Sequence, residues 1–248
     1  MEKDRIKQII KKHYGEIADE GSCCNSCGCD KGVTSKQISR SIGYSEDEIN
    51  SVSEANLGLG CGNPTGLGEI KKGEIVLDLG SGAGFDCFLA AQKTGPSGKV
   101  IGVDITQKMI DVAKKNAKKY GFKNVEFKLG DIEKLPIGDN SIDVVISNCV
   151  INLAPNKLKV FKEVYRVLKK GGRAYLSDIV LLKNLSKSQK NNKELIAGCV
   201  GGALLKDDYL QTIADAKFKV KILSEDKDIS KRQYQGVSLE SIKIEAKK

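Results

Sequence analysis

Eight cysteines in a chain of 248 residues are the first feature with chemical consequence. Four crowd into Cys23-Cys24-Asn25-Ser26-Cys27-Gly28-Cys29, while Cys61, Cys149 and Cys199 stand apart, each in a glycine-rich or loop context. Thiolates are soft, polarizable ligands, so such a set suits capture of a soft metal or metalloid, or thiol redox exchange. The spacing in 23–29 is not that of a structural zinc site, because no second cysteine pair follows at a suitable interval. Cys87 follows a glycine turn just inside a helix and reads as a small buried hydrophobe.

The second chemical feature is Val76-Leu77-Asp78-Leu79-Gly80-Ser81-Gly82-Ala83-Gly84. An apolar run stops after an acid and turns through glycines two apart, which predicts a strand, a turn open to a ligand and then a helix. The third glycine comes too early for the dinucleotide fingerprint, which fits a pyrophosphate to a helix N-terminus. A second apolar strand, Lys99 to Val103, ends at Asp104, where a carboxylate at the end of a βαβ unit can accept both hydroxyls of a ribose. A cofactor with a nucleoside and no pyrophosphate follows.

Gly130-Asp131-Ile132-Glu133-Lys134-Leu135-Pro136 comes after a third strand, Val125 to Leu129, and Ser141 to Asn148 forms a fourth. This series resembles the class I S-adenosylmethionine-dependent methyltransferases. The resemblance implies an α/β fold, a Rossmann-like sheet with helices on both faces, and S-adenosylmethionine as cofactor. It implies Asp78, Gly80, Gly82 and Gly84 near the methionine part, Asp104 on the ribose, and Asp131 with Ile132 at the adenine. Met109 and Asn148 complete the expected cofactor contacts, and Tyr14, in the N-terminal His13-Tyr14-Gly15, is the expected lid residue.

The elements that must position these groups can be read in order. Residues 4–18 form a helix with Ile6, Ile9, Ile10 and Ile17 on it, and Ser45 with Glu48 gives a capping box for a short helix. The helix Asn156 to Leu168 is expected to end at Lys169-Lys170-Gly171-Gly172, with a fifth strand from Arg173 to Ile179. Cys149 follows the fourth strand, at the rim where open α/β sheets bind ligands. Beyond Val180 we expect a helical segment carrying Cys199, a helix near Asp207 to Ala216, and strands at Lys219 to Leu223 and Ser238 to Ala246. The expected division is 1–60 as lid and cysteine-rich loop, 61–180 as the cofactor-binding core and 181–248 as a small substrate-side α+β region.

Net charge is +9, but the lysines are scattered and aromatic interleaving is almost absent, which argues against nucleic acid as partner. The charged start and the lack of a long apolar run argue against a leader or membrane span, so a cytoplasmic protein with reduced cysteines, acting as a monomer, is expected.

Three further stretches lie outside the general motifs. Gly60-Cys61-Gly62-Asn63-Pro64, Ser147-Asn148-Cys149-Val150-Ile151-Asn152-Leu153 and Gly198-Cys199-Val200-Gly201-Gly202-Ala203-Leu204 resemble the arsenic-binding signatures of the arsenite S-adenosylmethionine methyltransferases. That resemblance implies Cys61, Cys149 and Cys199 as ligands of trivalent arsenic and methyl transfer to it, with arsenite or its thiol conjugates as substrate. It also implies a fourth thiol, Cys23 or Cys24, that pairs with Cys61 during the cycle, and glutathione or thioredoxin as reductant. Two other functions compete: a methyltransferase for another small acceptor, and a soft-metal sensor or sequestration protein built on 23–29.

Overall fold

The computed structural model describes residues 2–21, 33–234 and 237–248; Cys23, Cys24, Cys27 and Cys29 lie outside them. One helix, α1 (Glu2–Glu20), precedes two short ones, α2 (Ser35–Ser41) and α3 (Glu46–Ser51). Both short helices begin with a capping box, Thr34 with Gln37 and Ser45 with Glu48, which offsets their poor intrinsic stability. There follow β1 (Ile75–Leu79), α4 (Phe85–Thr94), β2 (Lys99–Asp104), α5 (Gln107–Tyr120), β3 (Val125–Leu129), β4 (Ile142–Asn148) and α6 (Lys157–Val167). The chain ends with β5 (Leu168–Leu181), α7 (Lys187–Asn191), α8 (Lys193–Ala197), α9 (Lys206–Asp215), β6 (Lys219–Asp226), α10 (Ile229–Gln233) and β7 (Leu239–Lys247).

The strands make one seven-stranded sheet in the order β3-β2-β1-β4-β5-β7-β6, parallel except for β7, which is antiparallel to both neighbours. Residues alternate between two cores. Val76, Val100, Val144 and Ile146 pack toward α4 and α5, whereas Leu77, Ile101, Val145 and Leu176 pack toward α6 and α9. Strands covered on both faces need apolar residues at successive positions, as in Ile75-Val76-Leu77. Strand order reverses between β1 and β4, so the crevice beyond their carboxyl ends is the switch point where such sheets take ligands.

Two expectations are corrected. Lys169-Lys170-Gly171-Gly172 does not cap α6: the helix stops at Val167, Leu168 turns extended and pairs with Ile142, and Lys169 binds the Asp143 carboxylate of β4. Cys199 is not helical, because α8 stops at Ala197 and the Val200 and Gly201 amides fold back onto the Leu195 carbonyl. The C-terminal strands β6 and β7 join the same sheet as the cofactor motifs, through nine register pairs between β5 and β7. Among the described residues no helix is long and apolar enough to cross a membrane.

The lower end of the sheet is tied by Arg173 of β5, whose guanidinium makes two 2.9 Å bonds to Glu74 just before β1. Both side chains are largely buried. Arg173→Met leaves the Glu74 carboxylate without its partner, so we expect a loss of about 2–3 kcal/mol, read as a lower urea midpoint at unchanged slope.

Candidate functional site

The glycine turn after β1 takes a left-handed backbone at Gly80, Gly82 and Gly84, with φ of 67°, 50° and 95°. A Cβ at Gly82 would meet nothing within 4 Å, so the backbone faces open space there. The Gly82 amide donates to Asp104 Oδ2 at 3.0 Å, and the Thr106 amide donates to Oδ1 at 2.8 Å. The carboxylate that ends β2 is thereby aimed at the turn. Burial pushes Asp104 above its usual range, and the two amide bonds work against that shift.

A pocket opens over this turn, and its wall includes Tyr14, Asp78, Gly80, Gly82, Asp104, Asp131, Ile132 and Asn148. Gly84 serves instead as the N-cap of α4. Met109 is not in the wall: it is fully buried with Ile17, Ile38, Leu57 and Ala83, where it packs α1 and α2 against α5. Asp131 accepts from Lys7 of α1 at 2.6 Å. The Tyr14 hydroxyl donates to the Ala197 carbonyl at 3.2 Å and lies 4.0 Å from Cys199 Sγ, so α1 reaches across to the thiol side of the pocket.

The donor set fits a cationic nucleoside. Asp78 and Asp86 both face the pocket, and no described Lys, Arg or His forms an ion pair with either or with Asp104. Poor solvation pushes Asp78 well above the ordinary carboxylate range, and the charge of Asp86 adds to the shift. Asp86 rises to about 6 from the same loss of solvation, held down by bonds from Tyr44 and Asn148. The Ser81 hydroxyl is buried without a partner, whereas the Thr106 side chain acts on Asp104. S-adenosylmethionine carries positive charge, ribose hydroxyls and an adenine, which match these acids, the unpartnered Ser81 hydroxyl and the apolar Ile105, Ile132 and Leu153.

Cys149 and Cys199 line this pocket, and Cys61 lies behind them, joined to Cys149. Cys149 follows β4 directly, and its amide donates to the Ser177 carbonyl of β5 at 2.8 Å. Cys61 and Cys149 are joined as a disulfide with Cα atoms 6.0 Å apart, and Cys199 Sγ donates to the Cys149 carbonyl at 2.9 Å. In this oxidised form no group of three His, Cys, Asp or Glu side chains among the described residues is arranged to hold a metal ion. The pairing that the resemblance implies, Cys61 with Cys23 or Cys24, involves residues outside the described ones; here the partner is Cys149.

The Cys61 loop lies directly on the sheet. Its amide donates to Asn148 Oδ1 at 2.9 Å, and its carbonyl accepts from Ser241 of β7 at 2.7 Å. A Cβ at Gly60 would come within 2.6 Å of the Asn148 carboxamide, and one at Gly62 within 2.6 Å of Ser177 Oγ. These glycines allow the loop to touch the strand ends that carry Asn148 and Ser177. The Asn148 amide, expected at the cofactor, is therefore engaged by the thiol loop while its residue also borders the pocket.

Around Cys199 and Cys87 stand several residues that the sequence did not flag, among them Asp178, Lys157 and Asp86. Burial lifts the Cys199 thiol to about 12 and the neighbouring charge of Asp178 adds to this, so it stays protonated at neutral pH. Asp178 of β5 is pushed up to about 7 by burial, and the Tyr209 hydroxyl of α9 donates to it at 2.6 Å. Lys157 is pushed down to about 8 by burial and caps the Asn152 and Ala154 carbonyls at 3.3 and 3.1 Å. Cys87 is fully buried, as its helix position suggested, and it also donates to Asp78 at 3.2 Å. Asp86, second in α4, was visible as an acid in a first helical turn, whereas its partner Tyr44 lies 42 residues earlier with no motif to link them.

Cys149 and Cys199 have left-handed backbone, with φ of 60° and 67°, a conformation that strains a side chain with a Cβ. In reduced protein, Cys149→Gly should be more stable than Cys149→Ala by about 1 kcal/mol, the reverse of the order in an extended strand. Paired urea melts of the two variants check this.

The family described as a methyltransferase domain matches residues 70–217. The arsenite methyltransferase of Halobacterium salinarum is 45% identical over 226 residues, covering 87% of this chain and 58% of its own length. The human arsenite methyltransferase is 37% identical over 210 residues, covering 80% and 54%. The chain thus spans somewhat more than half the length of these curated relatives. The crystal structure of an arsenic(III) S-adenosylmethionine methyltransferase from Chlamydomonas reinhardtii superposes with a TM-score of 0.67 at 31% identity, covering 85% of this chain and 73% of that one. With its sheet order, its glycine turn and Asp104 in the expected places, the chain belongs to the class I methyltransferase family, in the group of the arsenite S-adenosylmethionine methyltransferases.

Proposed function

We propose that this chain transfers the methyl group of S-adenosylmethionine to trivalent arsenic held by Cys61, Cys149 and Cys199. The supporting observation is that Cys149 and Cys199 line the pocket that carries Asp78, Asp104 and the glycine turn, with Cys61 bonded to Cys149 and Cys199 hydrogen-bonded to the Cys149 carbonyl. The names of the relatives, arsenite methyltransferases from an archaeon and from mammals, agree with this substrate.

Arsenite reaches the site as a trihydroxide. Each thiol forms one sulfur–arsenic bond, one arsenic–oxygen bond breaks, and the thiol proton leaves with the hydroxide as water. A protonated Cys199 suits this exchange, because its proton is consumed by the leaving group. Three sulfur ligands leave the arsenic lone pair free as nucleophile. That nucleophile carries no proton, so no base is required, and the single histidine, His13, stands on α1 beside Tyr14 rather than in the pocket wall.

When bound, S-adenosylmethionine supplies an electrophilic methyl group on a positively charged sulfur. The residues that would hold it are Asp104 and the turn at Gly82 on the ribose side, Asp131 and Ile132 at the adenine, and Asp78 with Asp86 toward its positive charge, with Tyr14 as cover. The chain contributes proximity and orientation, worth several kcal/mol of barrier. The Cys61–Cys149 disulfide must first be opened by two electrons and two protons from a thiol reductant, glutathione or thioredoxin. A reducing compartment such as the cytoplasm keeps the thiols available. We take the acting unit to be a monomer.

The test is methyl transfer from labelled S-adenosylmethionine to arsenite with glutathione or thioredoxin present. Wild type should yield methylated arsenic and Cys149→Ser less than about a hundredth as much, since a two-thiol site loses both binding and alignment. Cofactor binding without any arsenic product from wild type would send the search to another acceptor. In a separate titration, Asp104→Ala should weaken S-adenosylmethionine binding about tenfold or more, by analogy with the loss of a charged hydrogen bond, and leave arsenite binding unchanged.

A further inference from the structure

Asn148 stands at the end of β4 between the thiol loop and the cofactor pocket, and its carboxamide meets four groups. Oδ1 accepts from the Cys61 amide at 2.9 Å, and Nδ2 donates to the Gly62 carbonyl at 2.7 Å. On its far side Nδ2 approaches the Tyr44 hydroxyl at 3.0 Å and Asp86 Oδ2 at 3.4 Å. The Tyr44 hydroxyl donates its own proton to Asp86 Oδ1 at 2.7 Å, which leaves its oxygen to accept from Asn148.

The polarity of this chain of bonds runs one way. A carboxylate can only accept, so it orients the phenol, and phenol and carboxylate together demand the nitrogen end of the Asn148 carboxamide. The oxygen end is then left facing the Cys61 amide. Reversing the carboxamide would set donor against donor at Cys61 and acceptor against acceptor at Gly62 and Asp86.

We infer that Asp86, acting through Tyr44 and the Asn148 carboxamide, is the positioning residue that holds Cys61 in place as an arsenic ligand. Its value as an arsenic-site residue rests on the proposed function; the hydrogen-bond relay itself does not. Asp86 keeps enough acidity to be mainly ionised at neutral pH, which the relay requires. Gly60 and Gly62 add to the dependence, because both bring the loop onto the groups beneath it.

The test uses uniformly 15N-labelled, reduced full-length protein, with amide hydrogen exchange read residue by residue. In Asp86→Asn one carboxamide would face another, the directional demand on Asn148 is lost, and the Cys61 amide should exchange about tenfold faster. Tyr44→Phe keeps the ring and the carboxylate and should give a smaller acceleration. Amides of the β5–β7 ladder should be unchanged in both variants. Unchanged exchange at Cys61 in Asp86→Asn, or an equal acceleration in the β5–β7 ladder, would overturn the inference. Equilibrium dialysis against arsenite should show affinity falling about tenfold in Asp86→Asn, in step with the exchange. A wild type that binds no arsenite would defeat the proposed function, while the exchange rates would still decide the relay.

Discussion

The site is organised by buried acids that no described basic side chain pairs with directly. Asp78 near the end of β1, Asp104 at the end of β2 and Asp86 in the first turn of α4 all face the pocket. Burying carboxylates in this way costs several kcal/mol each unless donors surround them. The donors present are neutral: the Cys87 thiol on Asp78, the Tyr44 hydroxyl and Asn148 amide on Asp86, and two backbone amides on Asp104. Neutral donors do not make up for the lost solvation, and the three acids all lie above their ordinary ranges. Such a pocket gains from any ligand that brings positive charge with it.

The same arrangement reaches the thiols through the sheet. Cys61 has no secondary structure of its own; its amide rests on β4 and its carbonyl on β7. Cys149 is the residue after β4, and Cys199 sits where the chain doubles back after α8. Three segments far apart in sequence are therefore placed by one rigid object, the carboxyl edge of a sheet that includes the C-terminal strands. β7 thereby bears on the thiol loop: without it, Ser241 would not hold the Cys61 carbonyl.

The cofactor half was legible in the sequence because its signals are local. Glycines two apart after an apolar run, and an acid at the end of the next strand, specify a turn and a carboxylate within one βαβ unit, and the structure bonds Gly82 to Asp104 directly. Cys149 was legible as a rim residue because it follows a strand. What was not legible depends on distant pairing. Tyr44 finds Asp86 across 42 residues, Tyr209 finds Asp178 across 31, and Cys61 finds Cys149 across 88. Met109 was placed at the cofactor from family likeness alone, but it faces inward on α5 and fills the space under α1. The misreading at Cys199 came from treating a glycine-rich stretch as helix, when its backbone turns left-handed one residue after Gly198.

Burial and backbone strain at the thiols bear on the kind of acceptor they suit. A cysteine acting as a free nucleophile needs a lowered pKa and access, whereas Cys199 is buried, raised to about 12 and donating to a carbonyl. Asp178 also disfavours the thiolate, while Tyr14 and Lys157 each favour it by a smaller amount. A site of this kind is poor at attacking carbon. It suits an acceptor that arrives with its own hydroxide leaving groups, takes up thiol protons as water and ends as a neutral centre bound by three sulfurs. The left-handed backbone at Cys149 and Cys199 then has a physical rationale: it turns both residues out of the regular strand and helix directions, with Cys199 Sγ on the Cys149 carbonyl and the Tyr14 hydroxyl 4.0 Å from that sulfur.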